Sequence, residues 1–309
     1  MGDLSDLANL DYASRINRVI DHVTRHLDEP LKLEELSKLA AFSPFHFHRI
    51  FRTQVGETLH DFVKRTRLER ALYLLSHTKR SMTDIALELG FASSSDFSRS
   101  FKAHFGTPPR RFDLQKWRED GRAKLTKVPL AKHDDGFSVR LRELPARRVA
   151  YVRVFRPFEP GRVEKAASQM VAWARKRKLE RQQWLGYQWE EPELVPLEKC
   201  RYDVGLEIAE DVVLDEPVSE TRFPAMTVAE LKFSGSLEKE IRAFEWLYGE
   251  WLPKSGRVPA HQPAFEAWDG LPFEHGNEHF ELRVQLAVVK SPTATPARRS
   301  RAAARSAAR

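Results

Sequence analysis

The sequence is short of several things, and each shortage excludes a class of protein. It has one cysteine, Cys200, in 309 residues, so no internal disulfide can form. That usage makes a cytoplasmic chain the default expectation. No apolar run approaches the roughly 18 residues of a membrane-crossing helix, so no membrane partner is expected. The opening stretch, MGDLSDLANLDY, is acidic and lacks the basic-then-apolar order of a secretory signal. Gly-x-Ser-x-Gly, a phosphate-binding loop and a zinc signature are all missing. The expectation is a chain that is not an enzyme and uses no cofactor. Residues 291–309 hold five arginines and no acid, a low-complexity tail expected to be disordered.

What is present falls into two parts. Hydrophobic residues make up 41% of the chain, enough for real cores, and the length suits two domains. The net charge of +7 is uneven. Residues 31–127 carry 19 Lys/Arg against 11 Asp/Glu, whereas residues 128–290 carry 24 against 27. A basic front and a mildly acidic back suggest modules with different partners.

The front contains a repeat. Leu36 and Phe42 recur as Ile85 and Phe91, 49 residues on; Phe47, Arg49, Phe51 and Gly56 recur as Phe97, Arg99, Phe101 and Gly106, 50 residues on. Each copy reads as helix, tight turn, helix. Ser43 and Ser93 are candidate caps, Pro44 suits the first helical position, Gly90 suits a left-handed turn, and Gly56 and Gly106 suit helix ends. In the second helix of the first copy, Phe47, Ile50 and Phe51 share one face. Phe45, His48, Arg49 and Arg52 share the other, at i, i+3, i+4, i+7. The matching outward stripe of the second copy is Ser95, Ser98, Arg99 and Lys102. A basic, hydrogen-bonding face on the second helix of a helix-turn-helix is the geometry that enters a DNA major groove. Arg49 and Arg99 can donate bidentately to guanine, and Phe45 can touch a thymine methyl. A merely solvated polar face is the competing reading, and the outward arginine shared by both copies tells against it. His46 and His48, at i and i+2, point apart on a helix, and His22 and His26 lack a third ligand, so no metal is expected.

Those two units, with the closing FKAHFGTPPRRF at 101–112, resemble the AraC-type transcription regulators over residues 12–115. The resemblance implies a long helix joining the units, and HDFVKRTRLERALYLLSH (60–77) fills that place. It also implies double-stranded DNA as partner, with base contacts at Phe45, His48 and Arg49 and at Ser94, Ser95, Asp96, Ser98 and Arg99. Asp113 departs from the pattern, where the family often has arginine.

Residues 116–135 carry many charges without a clean period and read as a linker. A second, weaker repeat follows. ELPARRVAYVRV resembles RFPAMTVAELKF, with Pro145 and Pro224 79 apart; GYQW and FEAW follow, with Trp189 and Trp268 also 79 apart. The expected fold is an all-α double helix-turn-helix domain followed by an α+β domain of two pseudo-symmetric βαββ repeats. The expected domains are 1–115, a linker at 116–136, 137–290, and the tail at 291–309.

With GYQWEEP, EKCRYDV, YGEWLP and PAFEAW, the back half resembles the GyrI-like effector domains found behind AraC-type units in the right-origin-binding type of regulator. That resemblance implies a groove for small molecules, often cationic and aromatic, with Glu266 as the ligand-facing acid. The 79-residue offset sets Tyr187 in the position equivalent to Glu266, with Trp189 and Trp268 near. Aromatic faces around a carboxylate make a cation trap. Trp173, Trp246 and Trp251 read as core, Cys200 as packing, and HGNEH (275–279) as surface. The main expectation is a DNA-binding regulator controlled by a small-molecule effector. The alternatives are a hydrolase of electrophilic compounds, with Glu266 and Tyr187 positioning water, and a back half that binds a protein such as RNA polymerase or a topoisomerase.

Overall fold

Most helices in the front of the chain begin where the sequence offers an oxygen to a first-turn N–H; the exception among those with a described start is the one after Lys32, which has no side-chain cap. In the computed structural model, which describes residues 4–125 and 135–291, these helices are α1 (Leu4–Arg25), α2 (Leu33–Leu39), α3 (Pro44–Val55), α4 (Leu59–His77), α5 (Met82–Glu88), α6 (Ser94–Phe105) and α7 (Leu114–Leu125). The Ser43, Thr58, Ser81 and Ser93 hydroxyls accept from the backbone N–H groups of His46, Asp61, Asp84 and Asp96 at 3.4, 3.2, 3.1 and 3.1 Å. Each such cap is worth about 1 kcal/mol. Gly56 and Gly106 end α3 and α6 in the left-handed region, at φ 81° and 76°. The turn inside the second unit uses Gly90 at φ 71°, whereas the first unit puts Ala41 there at φ 54°.

Phe47 and Phe51 of α3, Phe62 of α4, and Phe97 and Phe101 of α6 are fully buried, with successive rings 5.5 Å apart along each recognition helix. The expected linker is corrected over its first part: residues 114–125 are helical. Asp113 caps that helix, accepting from the Lys116 N–H at 3.0 Å. Here the residue that departs from the AraC pattern has a local job. Trp117 packs edge-on against Phe105 and tilted against Phe112, and donates to the Leu194 carbonyl at 2.9 Å. The apolar anchor of α7 thus meets the other module, which is why the segment shows no period of its own. The stretch 126–134, and the expected disordered tail from 292 onward, lie outside the described residues.

The back half forms one mainly antiparallel sheet. Its strands are β1 (Arg140–Leu144), β2 (Arg147–Phe155), β3 (Trp184–Gln188), β4 (Arg201–Glu207), β5 (Ser219–Phe223), β6 (Met226–Gly235), β7 (Arg257–Pro259), β8 (Ala264–Trp268) and β9 (Phe280–Lys290). The order is β1-β6-β9-β8-β3-β4-β2-β5, with β7 beside β9. That order is symmetric about the β3–β8 junction, as two repeats require. The first repeat has one strand more than expected, β1, and the second has two, β5 and β7; the leading strands pair with the other repeat, β1 with β6 and β5 with β2. Pro145 and Pro224 stand at these crossings, where a residue without an N–H interrupts one strand and lets the chain step to another.

Helices α8 (Arg162–Lys176) and α9 (Leu237–Trp246, continued by a π-helical turn, Leu247–Trp251) cover one face of the sheet, burying Met170, Trp173, Ala243 and Leu247. The other face is built on Tyr187, Phe223 and Phe265. Beside it lies α1, which reaches β5 through Asn17 and Ser219, 3.3 Å apart. Leu194, Val195 and Cys200 from the sheet module join the helical core, so the two modules share apolar packing. Burial pushes the Cys200 thiol well above its ordinary range.

Candidate functional site

The two outward stripes stand clear of the core. Phe45 is 70% exposed, an unusual position for a large apolar ring with no solubility reason to be there. His48, Arg49 and Arg52 are exposed beside it, and the Arg49 guanidinium lies 6.0 Å over the Phe45 ring. On α6, Ser94, Ser95, Arg99 and Lys102 are exposed. Asp96 and Ser98 are half-buried: Asp96 lies 3.6 Å from Arg99, and the Ser98 hydroxyl donates to the Ser94 carbonyl at 2.8 Å. Between the two readers runs α4, whose 19 residues span about 28 Å. That is close to one turn of DNA.

A cavity of about 690 Å³ lies where the modules meet. Its sheet side carries Tyr202, Glu266 and Trp268, its α9 side Glu240 and Phe244, and its helical side Arg70 and Tyr73 of α4. The Tyr202 hydroxyl donates to the Glu266 carboxylate. Gly186 stands opposite Glu266 in the β3–β8 register. A Cβ at 186 would lie 2.6 Å from Glu266 Oε2 and inside the Tyr202 hydroxyl, so only glycine lets this bond form. Burial pushes the Glu266 carboxyl up to about 7, and the tyrosine bond offsets part of that rise. Glu240 is also raised, by burial and then by the Glu266 charge. On the helical wall, Tyr73 meets Tyr248 edge-on at 6.5 Å, and His77 contacts Glu191 at 3.2 Å.

Comparison with known proteins matches a helix-turn-helix domain over residues 36–115 and a GyrI-like small molecule binding domain over residues 137–289. The chain is 34% identical over 94 residues to the regulatory protein SoxS of Salmonella typhimurium, a match covering 30% of this chain and 88% of that protein. The chain belongs to the AraC-type helix-turn-helix regulator family. Similarity to the HTH-type transcriptional regulator YbfP of Bacillus subtilis is 35% over 98 residues, covering 32% of this chain and 33% of that one. A Staphylococcus aureus regulator is 34% identical over 120 residues, covering 39% of this chain and 15% of its own. The chain therefore spans well under two thirds of both these relatives. A solved AraC-type regulator from Chromobacterium violaceum is 27% identical, covering 31% of this chain and 86% of that one, with a TM-score of 0.30.

In this AraC-type chain the structure brings together Glu266 and Trp268 and removes Tyr187. That residue is buried against Phe223 and Phe265 on the opposite face of the sheet and does not line the cavity. The cause is a slip of one residue. Gly186 faces Glu266 across the two-fold, so positions 80 apart are equivalent in these strands, not 79. In a strand a shift of one reverses the face. Trp189 is partly displaced in the same way: it lines the cavity beside His261 but packs toward Phe223 of that other face. Tyr202, Glu240 and Gly186 were missed. Tyr202 lay in the quoted EKCRYDV, and its alternation with buried Asp203 was the signal that could have found it. Trp173 is core, hydrogen-bonded to Asp215. His22 and His26 stack at 4.2 Å, and among the described residues no group of three or more metal-ligating side chains is placed to hold an ion. Among the described residues, no helix is long and apolar enough to cross a membrane.

Proposed function

We propose that this chain is a transcription regulator that binds double-stranded DNA through α3 and α6 and answers to a small molecule held in the cavity between its modules. The DNA-reading residues are Phe45, His48, Arg49 and Arg52, and Ser94, Ser95, Asp96, Ser98, Arg99 and Lys102. The effector-binding residues are Glu266, Trp268 and Trp189, with Tyr202 in the place expected for Tyr187. The domains divide near residues 115 and 137. One observation carries this reading: α4, which spaces the two readers, is also a wall of the cavity. A ligand that prefers one setting of α4 must change DNA affinity, and DNA must change ligand affinity by the same factor. The test is DNA binding by the full chain, on a site selected from a random pool, with and without a cationic aromatic dye. A shifted DNA affinity supports the reading; dye binding that leaves DNA affinity unchanged removes the coupling. A cytoplasmic location is the expectation from the single cysteine, and RNA polymerase is one protein partner the back half could take.

A second reading has one observation in its favour. A glutamate with a raised pKa, bonded to a tyrosine hydroxyl, is the pair that water-positioning hydrolysis requires, and Glu266 with Tyr202 forms it. Incubation with electrophilic esters and epoxides distinguishes the readings. Turnover abolished by Glu266→Gln supports the enzyme, and absence of turnover supports the sensor.

A further inference from the structure

The cavity has two charged poles, and they come from different modules. The acidic pole is Glu240 and Glu266. Glu240 is only 6% exposed, and its Oε1 has no hydrogen-bond partner among the described residues. Glu266 is bonded to Tyr202, and neither acid has a cationic partner among the described residues. The opposite pole is Arg70, half-buried on α4. Its guanidinium lies 4.8 Å from the centre of the Tyr73 ring, and no carboxylate among the described residues comes within ion-pair distance. Glu88, whose charge it feels, is paired with Arg80. The other arginines of the cavity wall are all answered: Arg118 by Glu191 and Glu193, Arg122 by Glu245, and Arg201 by Glu190. An unanswered guanidinium in one wall, and in another two acids that burial and each other's charge hold back from ionising, are best satisfied by a guest that brings groups of both signs.

We propose that the cavity takes a zwitterionic aromatic molecule, its cationic group against Glu240 and Glu266 and its carboxylate or similar acceptor on Arg70. The proposal rests on reading the cavity as a small-molecule site and goes beyond it in assigning a second, anionic group to the ligand. A planar guanidinium is suited to a carboxylate because two parallel N–H donors meet two oxygens. The aromatic walls, Trp268 and Phe244 among them, take the body of the molecule. Such a ligand touches the sheet at one end and the reader-spacing helix at the other. A simple cation engages only the sheet end.

The test uses the full chain and two dyes. Rhodamine B is a zwitterion near neutral pH; its ethyl ester has the same ring system and cation without the carboxylate. Fluorescence anisotropy gives both affinities. Rhodamine B should bind more tightly than the ester by about tenfold, the scale of one charge-assisted hydrogen bond. Arg70→Met should bring the acid-to-ester ratio close to one, and Arg70→Lys should keep part of it. Damage to the fold would weaken both dyes and leave the ratio, so the ratio separates the two causes. Equal affinities in the wild-type chain, or a ratio unchanged in Arg70→Met, overturn the proposal. If the ester still binds and Glu266→Gln abolishes that binding, the cation site stands and only the anionic assignment falls. If neither dye binds, the small-molecule reading falls as well.

Discussion

The Arg153 guanidinium, on β2, lies 2.7 Å from the Asp21 carboxylate of α1 and 2.6 Å from the Asp203 carboxylate of β4. The Tyr151 hydroxyl donates to Asp21 as well, at 2.8 Å. All these groups are buried, so one cation and a hydroxyl hold the helical module on the sheet from the inside. Removing one partner strands the others in low dielectric, which typically costs about 3–5 kcal/mol. Asp21→Ala should therefore loosen the modules. Calorimetry should resolve two unfolding transitions where the wild-type chain gives one. A single, unshifted transition in the variant would show that the apolar contacts alone keep the modules joined.

The readers differ chemically, since one offers Phe45 and His48 where the other offers Ser95 and Ser98. A single chain should select an asymmetric site. Arg49→Ala and Arg99→Ala should each weaken it by roughly 1–3 kcal/mol and relax the preference at one base pair, the two pairs lying about one turn apart. Equal losses on selected and random DNA would demote both arginines to phosphate contacts. Removing residues 292–309 takes away five arginines and should flatten the salt dependence without altering the preferred sequence.

With its carboxyl pushed up to about 7, Glu266 is mostly neutral at pH 6 and mostly charged at pH 8. Cationic dyes should bind more tightly as the pH rises through that window, with proton release, and Glu266→Gln should bind them more weakly, with a pH dependence left to Glu240 alone. The same shift affects folding. A carboxyl raised from its ordinary 4.5 holds its proton more firmly in the folded chain than in the unfolded one. Its contribution to stability therefore falls as pH rises from about 4.5 to about 7, and the penalty is complete above that. Denaturant titrations should show Glu266→Gln gaining roughly 1–3 kcal/mol on wild type between pH 5 and pH 8. A constant difference across that range would mean the acid titrates normally.

Two substitutions on neighbouring residues should behave in opposite ways. Gly186→Ala puts a methyl where Tyr202 meets Glu266 and should cost about 1–3 kcal/mol while weakening dye binding. The Tyr187 hydroxyl is buried without a hydrogen-bond partner among the described residues. Tyr187→Phe removes that unsatisfied group and should leave dye binding alone and stability equal or higher. Thermal melts and dye titrations of the two variants check both statements; weaker dye binding in Tyr187→Phe would return that residue to the site.

The helical module was legible because its information is local. Phe47 and Phe51 recur as Phe97 and Phe101 at one spacing, and a helix turns a spacing directly into a face. The sheet hid more. Its face assignments depend on register, and one residue more in the second repeat between β6 and β8 sufficed to exchange Tyr187 for Gly186 opposite Glu266. Helix α7 was unreadable for another reason, since Trp117 finds its partner in Leu194, which is 77 residues away. Arg70 gave no sign of its position at all: within a helix sequence it is one of several basic residues, and only the fold shows that no carboxylate among the described residues answers its charge.

The exchange of β1 and β5 between repeats bears on how such a sheet can arise. A chain carrying one repeat alone would find no place for its leading strand, because the strand it needs lies in a second copy. Two one-repeat chains trading their leading strands would build the same eight-stranded arrangement, two-fold symmetric and with the same residue from each partner facing its mate across the axis. Joining the repeats in one chain frees the two positions from being identical, and here they differ at the axis itself, where Glu266 of one repeat faces Gly186 of the other.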